Sequence, residues 1–144
     1  MSTVNSILEH KGPFVAVIGR GSTVYDAAKI MNQHHIGAVV VTDGDRAIGI
    51  FTERDVLNRV VAAGLDPTKT QVERVMTSPM ACCRRETTIN DCKHVMSQKR
   101  IRHLPVVEGG KLYGMISAND ILASEVSDKQ AAIEYLHEYL YGHR

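Results

Sequence analysis

Displaced by 65 residues, the sequence matches itself without a gap: residues 16–57 fall on residues 81–122, with 12 of 42 positions identical. Thr23/Thr88, Asp26/Asp91, Ile36/Ile101, Gly49/Gly114 and Asp55/Asp120 are among the identities, and Val24/Ile89, Ile30/Val95 and Thr52/Ser117 among the conservative pairs. The period exceeds the roughly 20–50 residues of solenoid repeats, so two copies imply a pseudo-symmetric pair rather than an open array.

Each copy repeats one order of elements. A short apolar run comes first, Phe14-Val-Ala-Val-Ile18 and, more weakly, Met80-Ala-Cys-Cys83. Thr23-x-x-Asp26 and Thr88-x-x-Asp91 then have the form of capping boxes, with an acid at the third helical position. Behind them Val24, Ala27, Ala28, Met31 and Ile89, Cys92, Val95, Met96 recur at helical spacing. β-Branched runs follow, Ala38-Val-Val-Val-Thr42 and Leu104-Pro-Val-Val107, then the turns Asp43-Gly-Asp45 and Glu108-Gly-Gly110, then second strands over 47–51 and 112–116. The last element opens with Thr52-x-x-Asp55 or Ser117-x-x-Asp120 and reads as a helix. The chain is therefore expected to be α+β (mixed α/β), with two strand–helix–strand–strand–helix units.

The units are expected over residues 1–65 and 66–127. Gly64 and Pro67 mark the connector as a helix stop and a turn. Gln71-Val-Glu-Arg-Val-Met76 reads as a short amphipathic turn. Val4-Asn-Ser-Ile-Leu8 is its counterpart ahead of the first copy, offset by three residues from the main repeat. Residues 128–144 form a helical tail with Ile133, Leu136, Leu140, Tyr135 and Tyr139 on two adjacent stripes, suited to packing on the chain itself or on a partner subunit.

With 144 residues the chain can bury one well-filled core or two small coupled ones. A net charge of +1 argues against a general nucleic-acid binder, which needs a basic face to displace counterions. Apolar runs such as residues 38–41 are far short of the ~20 residues that span a bilayer. Met1-Ser-Thr-Val-Asn5 lacks a basic segment followed by an apolar one, so no secretory signal is expected. The three cysteines, Cys82, Cys83 and Cys92, form no C-x-x-C pair, which argues against a disulfide framework or thiolate zinc site and fits a reducing cytoplasm. Cys82 and Cys83 are expected to alternate on a strand, one inward and one outward.

This order of elements resembles the CBS domain family, here as a tandem pair over roughly residues 4–124. The residues that carry the resemblance are Ile36-Gly-Ala-Val-Val-Val41 with Gly49-Ile-Phe-Thr-Glu-Arg-Asp55, and Ile101-Arg-His-Leu-Pro-Val-Val107 with Gly114-Met-Ile-Ser-Ala-Asn-Asp120. Val75-Met-Thr-Ser-Pro79 ahead of the second copy also resembles the family. The resemblance implies two units packed sheet to sheet, a homodimer, and clefts between copies that bind an adenine nucleotide or dinucleotide: AMP, ADP, ATP or NAD(H). It implies a regulatory module with no required cofactor, which passes its signal to a protein partner.

Carried over residue by residue, the resemblance implies that Asp55 and Asp120 grip ribose and that Thr52 and Ser117 touch ribose or phosphate. A carboxylate accepts only, which suits the two adjacent O–H donors of a ribose diol. Both pairs are also ordinary capping boxes worth ~1 kcal/mol each, and the two roles are compatible. The resemblance further gives Ala16, Ile36, Gly37 and Ala38, and in the second copy Ala81, Ile101, Arg102, His103 and Pro105, as the edge that holds adenine; core packing of these strands is the competing reading. Gly37 leaves room for a base where Arg102 does not, so the two clefts are expected to be unequal. Cations for phosphate are sought among Lys11, Arg54, Arg100, Arg102 and His103. Arg54 is the first choice, because a cation at a helix start is unfavourable unless an anion binds there. Asn119 replaces it in the second copy, where the cation is expected from Arg102 or from the other copy.

Gly19-Arg-Gly21 lacks the third glycine of a dinucleotide loop, since Val24 stands there. The seven histidines form no metal-binding spacing, and no nucleophile has an adjacent base, so neither a metal site nor catalysis is expected. The rival expectation is a constitutive interaction or oligomerisation module with no working nucleotide site.

Overall fold

Two hydrophobic clusters, one per repeat, are joined by a third between their sheets. The computed structural model describes residues 2–141; within the last helix the side chains at 131, 132, 134, 135 and 138–141 are outside the description. The first repeat runs β1 (Val17–Gly19), α2 (Val24–His34), β2 (Ala38–Asp43), β3 (Arg46–Thr52) and α3 (Glu53–Asp55), the last continuing as a π-helix over Val56–Val61. The second runs α4 (Ile89–Lys99), β4 (His103–Glu108), β5 (Lys111–Ser117) and α5 (Ala118–Tyr141). A helix, α1 (Val4–Lys11), precedes the first repeat, and a 3-10 turn over Val72–Arg74 precedes the second. The mixed α/β class and the C-terminal helix agree with the sequence reading. No helix among the described residues is long and apolar enough to cross a membrane.

β1 pairs parallel with β2, and β2 antiparallel with β3; in the second repeat only β4 and β5 form a sheet. The strand expected over 80–83 shrinks to one parallel bridge, Cys83 with Val106. The cause is Pro105. In the first repeat the Val40 N–H donates to the Ala16 carbonyl at 3.0 Å. Pro105 occupies the equivalent place and has no N–H to give, so the ladder is cut there. Cys82 is exposed and Cys83 buried, the alternation expected of them.

β2 is buried on both faces. Val39 and Val41 face α2 and join the first cluster, while Ala38 and Val40 meet Ile50 and Met115 between the sheets. This is the sheet-to-sheet packing that the resemblance implies. Thr23 and Thr52 make complete capping boxes, and Ser117 and Asp120 exchange the same two bonds. At Thr88 only one half forms, from the Asp91 amide to the Thr88 hydroxyl. Of the tail stripe, Ile133 and Leu136 are exposed, and the side chains of Tyr135, Tyr139 and Leu140 lie outside the described residues.

The segments ahead of the repeats pack crosswise. Val4, Ile7 and Leu8 of α1 belong to the second repeat's cluster, and Val72 and Val75 of the connector to the first repeat's. Thr3 bridges Thr88 and Gln71 bridges Thr23, so both crossings use the same backbone pairing. Each segment passes over a strand at a glycine. A Cβ on Gly114 would stand 2.8 Å from Leu8 Cδ2; one on Gly49 would stand 2.6 Å from Met76 Sδ and 2.9 Å from the Thr77 carbonyl oxygen. The Leu8 methyl can swing aside, but Thr77 is held by two backbone bonds to Ile50. Gly49→Ala is therefore expected to cost about 1–3 kcal/mol and Gly114→Ala distinctly less, read as urea midpoints. Equal costs would show that the Thr77 backbone yields as easily as a side chain.

Candidate functional site

The start of β2, the end of β5 and the loop into β1 converge between the repeats on a cleft of about 340 Å³. Lys11, Ala16, Ile36, Gly37, Ala38, His103, Ser117, Asn119 and Asp120 line it, together with Phe14, Val15, His35 and Met115, which sequence reasoning missed. A second cavity of about 550 Å³ adjoins it and shares Ile36, Gly37, His103, Ser117 and Asn119. Arg102 lines this second cavity, as do the unexpected Asn32, His35 and Glu53. Thr52, Arg54, Asp55, Ala81, Ile101 and Pro105 line neither. Arg54 lies exposed on α3; the basic side chains in the walls are Lys11, Arg102, His35 and His103.

Local backbone structure sets these positions. α2 ends at His35, whose left-handed conformation (φ 53°) turns the chain into Ile36-Gly37. Such a cap usually falls to Gly or Asn, and nothing in the sequence marked this histidine for it. The Glu53 N–H donates to the Gly37 carbonyl at 3.0 Å and ties α3 to this turn. Gly37 lies close to both walls: a Cβ there would stand 3.1 Å from Oε1 at the far end of the exposed Glu53 side chain and 3.4 Å from His103 Cε1.

Asp120 is the carboxylate of the cleft. Its Oδ2 accepts from Lys11 Nζ at 2.7 Å and from the Ser117 amide at 2.8 Å. Lys11 also donates to the Met115 carbonyl at 3.0 Å, so the end of α1 is pinned across the mouth of the site. Burial alone would raise the Asp120 carboxyl, but Lys11 and Ser117 together hold it below the ordinary range, and it is charged at neutral pH. Burial pushes the His103 imidazole below its usual value. Glu53 and Asp120 oppose that shift, and Arg102 and Lys11 add to it. His103 is thus neutral at pH 7.

Asp55 sits differently. Its Oδ2 accepts from the Thr52 amide at 3.0 Å and the Thr52 hydroxyl at 3.2 Å, and its Oδ1 lies 3.5 Å from Arg59 Nε. All of these partners belong to its own helix and cap. No group of three or more His, Cys, Asp or Glu placed to hold a metal occurs among the described residues.

These two units match the family model for the CBS domain at residues 12–62 and 72–127. The chain is 35% identical over 125 residues to the CBS domain-containing protein CBSX3, mitochondrial, of Arabidopsis thaliana, a match that covers 83% of this chain and 61% of that protein. It spans about three-fifths of that relative's length. Among solved structures, the CBS-domain containing protein ATU1752 from Agrobacterium tumefaciens superposes with a TM-score of 0.81 at 35% identity, covering 86% of this chain and 99% of that one. The CBS domain pair of protein MJ0100, in complex with 5'-methylthioadenosine and S-adenosyl-L-methionine, shares the fold with a TM-score of 0.79 at 22% identity, covering 89% and 98%.

Proposed function

Because the chain belongs to the CBS domain family as a tandem pair of its repeats, we propose that it is a regulatory module that senses an adenine nucleotide in the Asp120 cleft. The observation that carries this reading is a charged carboxylate in a slot between the repeats whose lining also includes the small and apolar Val15, Ala16, Gly37, Ala38 and Met115. Ala16, Ala38, Val15 and Met115 give a flat base apolar contact. Both hydrogen bonds to Asp120 end on Oδ2, which leaves both lone pairs of Oδ1 to accept from the two hydroxyls of a ribose diol. The cleft volume lies within the roughly 300–1,000 Å³ of small-molecule sites. Phosphate follows into the adjoining cavity, toward Arg102 and the two imidazoles.

The ligand would touch the first repeat at Gly37 and Ala38, the second at Asp120, and α1 at Lys11. Binding therefore favours one relative arrangement of the three, which is how occupancy becomes a signal. The listener is a second protein. Leu57 and Val61 of the π-helix and Leu122 and Val126 of α5 are exposed, and they are repeat-equivalent pairs. Such a symmetric pair of apolar faces suits a second copy of the chain, so the module is read as a homodimer. Three free thiols fit a reducing compartment, and we place the protein in the cytoplasm. No catalytic step is assigned to it.

A thermal-shift panel with AMP, ADP, ATP, NAD⁺, NADH, S-adenosylmethionine and GTP tests the reading. A ligand at 100 times its Kd adds about 2.7 kcal/mol, and an adenine ligand is expected to raise Tm by several degrees where GTP does not. A flat panel overturns the nucleotide reading in favour of a constitutive interaction module.

A further inference from the structure

The two repeats are equivalent in backbone where the clefts are built. The Glu53 N–H donates to Gly37 at 3.0 Å, and the Ala118 N–H donates to Arg102 at 2.8 Å, the same bond 65 residues on. Ile36 and Ile101 likewise bond back to Met31 and Met96. On this common frame the side chains differ. Gly37 and Ala38, which leave the Asp120 cleft open, are replaced in the second repeat by Arg102 and His103. The carboxylates differ in the same sense: Asp120 takes a cation from a distant element, whereas Asp55 is engaged by Thr52 and Arg59 of its own helix. Position 124, equivalent to Arg59, is serine. Lys11 has no basic counterpart either, since none stands between Arg74 and Ala81 in the connector.

We propose that this chain binds one nucleotide rather than two, and that Arg102 marks the difference: it stands in the second repeat at the position that Gly37 leaves open in the first, and its guanidinium serves the anionic tail of the ligand in the Asp120 cleft. This rests on the nucleotide reading above. Arg102 lines the larger cavity, and its Nη2 donates to Asn119 Oδ1 at 3.4 Å, a neutral partner that leaves the guanidinium its full charge for an incoming phosphate. Glu53 is the single carboxylate among the residues lining that cavity and lies against Gly37. The replacement thus works twice: it takes away the small residue at one site and gives the other a cation, where Asn119 stands in place of Arg54.

Isothermal titration with ATP and with adenosine tests this. The expected stoichiometry is one ATP per chain. Asp55→Asn, which keeps the helix cap, should leave both stoichiometry and Kd within about twofold. Arg102→Ala should weaken ATP about tenfold or more, as loss of a charge-assisted hydrogen bond does, and adenosine by less than about twofold. Two ATP per chain, loss of binding in Asp55→Asn, or equal weakening of ATP and adenosine by Arg102→Ala would each overturn the proposal while leaving the nucleotide reading intact. Absence of binding by ATP, adenosine and the other adenine ligands of the thermal-shift panel alike overturns both.

Discussion

A chain that lacks residues 1–11 is expected to lose its second repeat, not its first. Val4, Ile7 and Leu8 are buried in the second repeat's cluster beside Leu104, Val106 and Ile116. At about 1.5–3 kcal/mol for each buried side chain, their removal costs roughly 5–9 kcal/mol, and a domain's whole stability is about 5–15 kcal/mol. The deletion also removes the backbone bonds from Val4 to Thr87 and from Ile89 to Ser2, which seat the start of α4. The first repeat keeps its own cluster, closed by Val72 and Val75. Urea unfolding of the truncated chain should show the second-repeat signal lost before the main transition; amide hydrogen exchange in β4 and β5 reports there. Leu8→Ala should cost about 2–5 kcal/mol by itself. A truncated chain that unfolds at the parental midpoint would show that α1 is a passenger.

Asp120→Ala is expected to weaken adenosine at least about a hundredfold. Two ribose hydroxyls donating to a charged acceptor are worth about 1.5–3 kcal/mol each, and every 1.4 kcal/mol is a factor of ten. The same change removes the cap on the Ser117 amide and the ion pair with Lys11, together about 1–2 kcal/mol of stability. The chain therefore stays folded while the ligand is lost. Asp120→Asn separates the two effects, since an amide oxygen still caps the helix but the charge is gone. Calorimetry on both variants, beside their unfolding curves, measures the split. Affinity kept within about threefold in Asp120→Ala would leave the carboxylate with its capping role alone.

The repeat carried most of the fold. Thr23 with Asp26 and Thr52 with Asp55 announced helix starts, and the turns at Gly44 and Gly109 announced hairpins. Which segment closes which core was not legible. Val4–Leu8 and the connector turn share a pattern, and a pattern says that a face is apolar, not where it goes. The loss of a strand at Cys82-Cys83 could have been read, because Pro105 stands in the partner strand where Val40 donates. The candidate cleft was legible where small residues and a capping acid coincide, at Gly37, Ala38, Ser117 and Asp120, all of which line it. It was not legible at Arg54 or His35. Sequence gives adjacency to a motif, but the direction of a long side chain depends on the helix face it leaves. Arg54 leaves toward solvent, and His35 is turned into the cleft by a left-handed cap.

The crosswise packing of the leading segments also sets an order of events during synthesis. The first repeat closes once Val75 has left the ribosome, soon after its own last helix. α1 is made ahead of both repeats, yet its apolar face is covered only when residues as late as Ile121 have emerged. At about 5–20 residues per second, that face waits roughly 5–20 s with nothing to pack on. The newborn chain thus carries a finished half and a sticky leader at the same time. Chaperone capture or premature pairing with a neighbouring nascent chain is most favoured in that interval, and it ends only when the last repeat arrives to claim the first helix.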